Sequence, residues 1–354
     1  MNTLERHLNY PFGDELPEPG TKFQVAPGVY WIRKPLPFAL DHINLWLLRD
    51  QFEGRTGWTA VDCGVATEAT RNLWKQIIAD ELEGLPIVRV ICTHYHPDHL
   101  GNAAWLTDQF DCPLWMTFGE YAMGRVVLGQ FKAAAAANNV AHFVAHGLTS
   151  EDHIEKLKHR GNLFSMMVPE MPRSFRRIFG GEEIAIGGRH WRVISGFGHS
   201  PEHASLYAGD LHVLIAGDMI LPRISPNIGV HAMEPEANPL HNFLASLERI
   251  GASTAEETLT LPSHGKPFRK LRVRIKQLHS HHRDRLDEIR AICVAPKTTA
   301  DVVPIMFKRE LDTHQLFFAF GEALAHLNYL WYAGDLNREL CIDGVYRFAL
   351  KKYA

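Results

Sequence analysis

Four side chains able to hold a metal, His94, His96, Asp98 and His99, follow directly on the β-branched run Ile87–Thr93. A run of that kind reads as a strand buried on both faces. The chain must therefore place a strongly polar turn at the end of a central strand. In an extended backbone His94 and His96 point the same way and could pinch one ion. Pro97 then bends the chain, and Asp98 and His99 can turn toward a second position. Imidazole together with carboxylate suits Zn²⁺ or a related divalent ion. Ligands just beyond strand C-termini occupy the usual site position of an open α/β sheet.

The flanking pattern supports that placement. Phe23–Arg33 and Phe38–Asp50 predict two strands, and Trp58–Cys63 a third. Thr67–Glu83 has helical spacing and stops at Gly84, Leu100–Phe110 predicts a second helix, and Pro113–Met116 another strand. This alternation argues for α/β. Residues 119–180 differ. They carry the Ala133–Ala137 run, a helix start at Ser150 and Met123, Met166, Met167 and Met171, and read as an inserted helical cap. Strands return at Glu183–Ile186, His190–Ser195, Ala204–Ala208 and Val213–Ala216. Leu240–Ile250 is helical, Thr258–Leu261 a short strand, and Lys266–Ala291 a long charged helix. The basic stretch Arg269, Lys270, Arg272, Arg274 and Lys276, and His279, His281 and His282, are expected on solvated faces of that helix. Beyond 292, two helices and a hairpin follow in winged-helix-like order. The expected domains are 1–292 and 293–354.

Composition closes off other classes. Of 354 residues, 46% are hydrophobic and 22% charged, which argues against a disordered chain, a fibre or a small disulfide scaffold. A net charge of -3 provides no overall attraction for nucleic acid or anionic lipid. Five Cys without C-x-x-C spacing read as reduced thiols. No signal-like apolar segment opens the chain, and no apolar run approaches the roughly 18 residues of a membrane span. A cytoplasmic protein without membrane partners is expected.

Later motifs complete the pattern: Asp62 in Ala60-Val61-Asp62-Cys63-Gly64, His199 in Gly198-His199-Ser200-Pro201, Asp218 in Ala216-Gly217-Asp218, and His264 in Pro262-Ser263-His264-Gly265. Taken with the H-x-H-x-D-H segment 94–99, they make the chain resemble the metallo-β-lactamase superfamily of metallohydrolases over roughly residues 20–290. The resemblance implies a four-layer αββα sandwich, two mixed sheets face to face with helices outside. It implies that His94, His96 and His199 hold one metal, that Asp98, His99 and His264 hold another, and that Asp218 bridges them. Asp62 would orient the ligands, and Asp98 would also orient the attacking water. Two divalent ions, zinc first and Mn or Fe as alternatives, would share a water whose pKa falls to about 7.

The zinc β-lactamases of this superfamily commonly carry Cys or Ser where this chain has Asp218. A bridging Asp resembles instead the hydroxyacylglutathione hydrolases, lactonases and nucleases. A hydrolase of a small acyl ester, thioester or lactone is therefore the expectation. A ribonuclease or phosphodiesterase is the alternative, and a mononuclear-iron thiol dioxygenase a further one. The near-neutral charge, and an apolar helix His314–Tyr332 lacking Lys and Arg, argue against nucleic acid as partner. That apolar helix is expected to pack or to form a homodimer. Arg223, His42 and Tyr95 are candidate substrate residues, Arg223 as a clamp for a carboxylate or phosphate. Packing is the competing role for Tyr95. His203 is expected behind the ligands or on the surface rather than as an eighth ligand.

Overall fold

Side-chain alternation on the long strands decides the architecture. The first sheet runs in chain order through β1 (Phe23–Ala26), β2 (Val29–Pro35), β3 (His42–Phe52), β4 (Arg55–Val61), β5 (Ile87–Ile91), β6 (Leu114–Met116) and β7 (Arg176–Arg177). Along β3, Ile43, Leu45 and Leu47 enter one core while Trp46 and Leu48 enter another. A strand buried on both faces must be covered on both. Its pairs through β4 are antiparallel, and those from β4 to β7 parallel. The helix Glu68–Asp80 lies between β4 and β5 in the chain. Thr67 caps it, accepting from the Thr70 N–H, and Trp74 and Ile77 join the Ile43–Leu45–Leu47 core.

The opposite face meets a second sheet of β8 (Glu183–Ile186), β9 (Arg189–Gly196), β10 (His203–Ala208), β11 (Val213–Gly217) and β12 (Leu259–Pro262), ordered β12-β11-β10-β9-β8. Trp31, Trp46, Val61, Ile91 and Trp115 of the first sheet share one core with Trp191, Val193, Leu206, Ile215 and Leu261 of the second. Two mixed sheets thus lie face to face, as expected. Where β3 is farthest from His42, buried Asp50 accepts from Arg89 at 2.7 Å, from Thr59 at 2.6 Å and from the Gly187 N–H at 2.9 Å. Satisfied this way, a buried charge pair is tolerated and ties the sheets together.

A computed structural model describes residues 3–38, 40–129, 132–159 and 163–351. Residues 130–131 and 160–162 of the expected cap, Ala39, the first two residues and the last three lie outside that description. The chain divides into two compact units: Met1–Gly129, Phe164–Pro226 and Ser246–Ile275 in one, and Gln130–Leu163, Asn227–Ala245 and Lys276–Ala354 in the other. Segments distant in the chain share the second unit's core. There Phe143 packs on Phe317 and Phe320, with ring centroids 5.4 and 4.6 Å apart. Asn328 Nδ2 donates to the Pro235 and Ala237 carbonyls. The C-terminal order is helix Thr299–Met306, helix Thr313–Tyr332 and a hairpin of β13 (Leu336–Leu340) and β14 (Tyr346–Leu350). On the longer helix Phe320, Leu324, Leu327 and Leu330 are buried within the unit.

Several local expectations are corrected. Phe23–Arg33 is two strands, because Gly28 at φ +78° turns the chain inside the run. The charged helix starts at Leu271 rather than Lys266, since Lys270 sits at φ +70°. Its faces are not all solvated. His282 is fully buried with Nδ1 3.1 Å from His326 Nε2, and Arg274 is buried, donating to the Leu221 and Ile224 carbonyls. Of the cap methionines, Met171 enters the first-sheet core while Met166 is exposed. Among the described residues no helix is long and apolar enough to cross a membrane.

Candidate metal centre

Each candidate ligand follows a strand end. Asp62 comes after β4, residues 94–99 after β5, His199 after β9, Asp218 after β11 and His264 after β12. The sandwich therefore delivers them to one rim. His94, His96, His199 and Asp218 form one group and Asp98, His99 and His264 another, with donor atoms within 4.8 Å of one another in each. His94 Nε2 lies 2.9 Å from His96 Nδ1 and 3.3 Å from His199 Nε2. Asp218 faces both groups. Its Oδ2 is 3.5 Å from His199 Nε2, and its Oδ1 is 3.6 Å from His99 Nε2 and 3.5 Å from His264 Nε2.

The outward ring atoms are anchored. His94 Nδ1 lies 3.1 Å from Thr93 Oγ1, His99 Nδ1 donates to Asp62 Oδ2 at 2.7 Å, and His264 Nδ1 donates to the His42 carbonyl at 2.8 Å. With the proton held outside, each ring turns an Nε2 lone pair inward. Lone pairs that face one another at these distances repel unless a cation lies between them. His99 Nε2 and Asp218 Oδ1 are buried and have no hydrogen-bond partner. Buried polar atoms in proteins usually find a partner, and cations between these facing lone pairs would supply one, so the donor set fits a pair of divalent cations.

Electrostatics agree with that fit. Burial lowers His94, helped by the neighbouring imidazoles, and takes His96 down to about 3. Both rings are neutral at pH 7, the form that can ligate a metal. Burial would lower His264, but Asp218 and Asp98 push it up to about 10. Burial would raise Asp98, yet His99 and His264 hold it at about 2. The second group thus pairs its negative charge with protons wherever no other cation is bound.

Asp62 stands at φ +63°, a left-handed conformation that a short carboxylate side chain tolerates better than most. Its oxygens accept from the Thr93 N–H at 2.7 Å and the Thr93 hydroxyl at 2.9 Å, besides His99. His42 approaches the rim: Nε2 accepts from the Gly265 N–H at 2.9 Å, and Nδ1 lies 2.5 Å from Asp41. The Tyr95 ring lies 4.8 Å from that of His96 and 6.1 Å from that of Phe164. Arg223 is exposed, and its Nε pairs with Glu5 at 3.1 Å. His203 is fully buried, its Nε2 accepting from the Asp218 N–H at 3.2 Å. A Cβ on Gly217, at φ +55°, would come within 2.2 Å of that Nε2.

A family model described as "Metallo-beta-lactamase superfamily" matches residues 39–292. The chain belongs to that superfamily. A second model, "Metallo-beta-lactamase-like, C-terminal domain", matches residues 286–351. The chain is similar to a beta-lactamase domain protein from Burkholderia ambifaria, at 53% identity and a TM-score of 0.93, over 99% of this chain and 100% of that one. It is also similar to a metallo-beta-lactamase family protein from Thermus thermophilus, at 30% identity and a TM-score of 0.75, over 93% of this chain and 100% of that one. "Probable metallo-hydrolase YqjP" of Bacillus subtilis is 25% identical over 310 residues, 84% of this chain and 91% of that protein. Two residues of this superfamily chain escaped the sequence reading. Thr93 links Asp62 to His94, and only its place beside the motif hinted at it. Glu120, fully buried on the helix Phe118–Gly129, left no signal, because a helical Glu ordinarily faces water.

Proposed function

We propose that this chain is a dinuclear-metal hydrolase of a small ester, thioester or lactone, working in the cytoplasm. One observation carries the reading: Asp218 turns one oxygen toward His199 and the other toward His99 and His264. His94, His96 and His199 would hold one ion, Asp98, His99 and His264 the other, and Asp218 both. Bound there, such ions supply Lewis acidity and lower the pKa of a water to about 7. Asp62, Thr93 and the His42 carbonyl keep the ring protons outside, so the imidazoles need not be deprotonated afresh at each turnover.

Asp98 is the partly accessible carboxylate beside His264, and its charge would orient the attacking water. Asp218 favours the hydroxyacylglutathione-hydrolase and lactonase side of the superfamily over antibiotic hydrolysis. The full seven-residue set disfavours a mononuclear iron oxygenase, and the net charge of -3 disfavours RNA. Tyr95 and Phe164 would present an apolar wall to an acyl group, with His42 at the rim.

The test is metal content together with a substrate panel. Protein purified without chelator should carry close to two equivalents of divalent metal. Reconstituted enzyme should cleave acyl thioesters or lactones in preference to phosphodiesters. Salt-sensitive RNA cleavage would replace this reading with the nuclease one. A single iron with oxygen consumption would replace it with the dioxygenase one.

A further inference from the structure

We infer that Glu120 fixes the His94–His96 arm against the His199 loop, as a positioning residue for the first of the two metal positions. The inference rests on the metal-hydrolase reading above. Glu120 Oε2 accepts the N–H of Tyr95, the residue between His94 and His96, at 3.0 Å. Its Oε1 accepts the Ser200 hydroxyl at 2.7 Å and the Glu202 N–H at 2.6 Å, directly beyond His199. One carboxylate thus joins a loop after β5 of the first sheet to a loop between β9 and β10 of the second.

The latch is doubled. Glu202 Oε2 accepts the Gly119 N–H at 2.9 Å, and the Glu202 carbonyl accepts the Thr117 hydroxyl at 2.6 Å. Two of the three donors to Glu120 are backbone N–H groups, whose direction is set by the chain. Only a group that accepts on both oxygens satisfies all three at once. Burial pushes the Glu120 carboxyl up to about 7, against the pull of Ser200, Glu202 and Tyr95. A group so costly to bury is well placed only where its bonds are needed.

The second position is held by other means, His99 through Asp62 and His264 through the His42 carbonyl. Loosening Glu120 should therefore be felt at one position. Full-length wild type, Glu120→Gln and Glu120→Ala are stripped with chelator, reloaded with Co²⁺ and titrated against a competing chelator. His96→Ala and His264→Ala identify which affinity belongs to which position. Glu120→Gln, which turns an amide N–H toward one donor, should weaken the first position about 10-fold or more, within the 10- to 100-fold range of lost ligand-orienting partners. The second position should be unchanged, and Glu120→Ala should lose more at the first.

Unchanged affinity at the first position in both variants overturns the inference. So does equal loss at both positions, which marks a general packing role. If Glu120→Ala does not fold, the near-isosteric Gln carries the test, with Ser200→Ala required to show a smaller loss at the same position. Wild-type protein that takes up no Co²⁺ removes the metal reading itself. Two ions in wild type with unaltered Glu120 variants removes only this inference.

Discussion

Asp98 and Lys34 show how differently a charge shielded from water can act. Asp98 Oδ2 lies 3.3 Å from His264 Nε2 and 3.7 Å from His99 Nε2. Asp98→Asn keeps the shape and removes the charge. The proposed reading then expects kcat to fall by about 100-fold or more, with metal lost from the second position and the fold retained. Unaltered kcat with two metals retained would contradict the role given to Asp98. Lys34 is buried under the Trp74 ring, 4.7 Å from its centroid, and its Nζ has no hydrogen-bond partner. Burial pushes it down to about 7 from 10.5. The unfolded chain therefore holds more protons between those values, and stability rises with pH across that window. Lys34→Met should stabilise the protein at pH 7 by on the order of 3 kcal/mol and flatten that rise, which denaturant titrations at pH 7 and 10 would read.

At the scale of elements, strand ends place the candidate ligands, and glycine decides one of them. Gly217 closes β11 at φ +55°, against the His203 ring that receives the Asp218 N–H. Gly217→Ala meets both an unfavourable φ and a 2.2 Å contact with a buried ring. A loss of more than about 2 kcal/mol is expected, with weakened metal binding at both positions because Asp218 faces both. A variant as stable as wild type and with full metal content would refute that account. The same element could only half be read from the chain. The Ala216-Gly217-Asp218 motif was legible, but a Gly-Asp pair carries no trace of His203 behind it. Strands with β-branched runs, such as β5, were legible because burial on both faces leaves one pattern. The two-residue β7, Arg176–Arg177, has no pattern to read. Glu120 was silent for a related reason: its partners Tyr95 and Glu202 lie 25 and 82 residues away and offer backbone, which has no letter in the sequence.

At the scale of the whole molecule, the candidate metal ligands lie in one compact unit and a set of buried imidazoles in the other. In that second unit burial takes His142 down to about 3, and His146 and His326 down to about 4. His146 Nδ1 donates to the His142 carbonyl and His326 Nδ1 to the Glu322 carbonyl, bonds that favour the proton, but burial outweighs them and both rings are neutral at pH 7. Each folded value lies below the ordinary 6.5, so from about pH 6.5 downward the unfolded chain takes up protons that the folded unit refuses. Glu322 works against this, since burial raises it to about 7 from 4.5 and the folded unit keeps its proton where the unfolded chain loses it. Three protons outweigh one, so acid should destabilise this unit, by about 1.4 kcal/mol per pH unit for each proton of the difference. Hydrogen-exchange protection in Thr313–Tyr332, corrected for intrinsic rates, should fall between pH 6.5 and 4.5. His146→Gln removes one titrating ring and should shallow the slope, whereas Glu322→Gln removes the opposing carboxyl and should steepen it. Slopes that both substitutions leave untouched would mean that these buried groups do not govern the acid response.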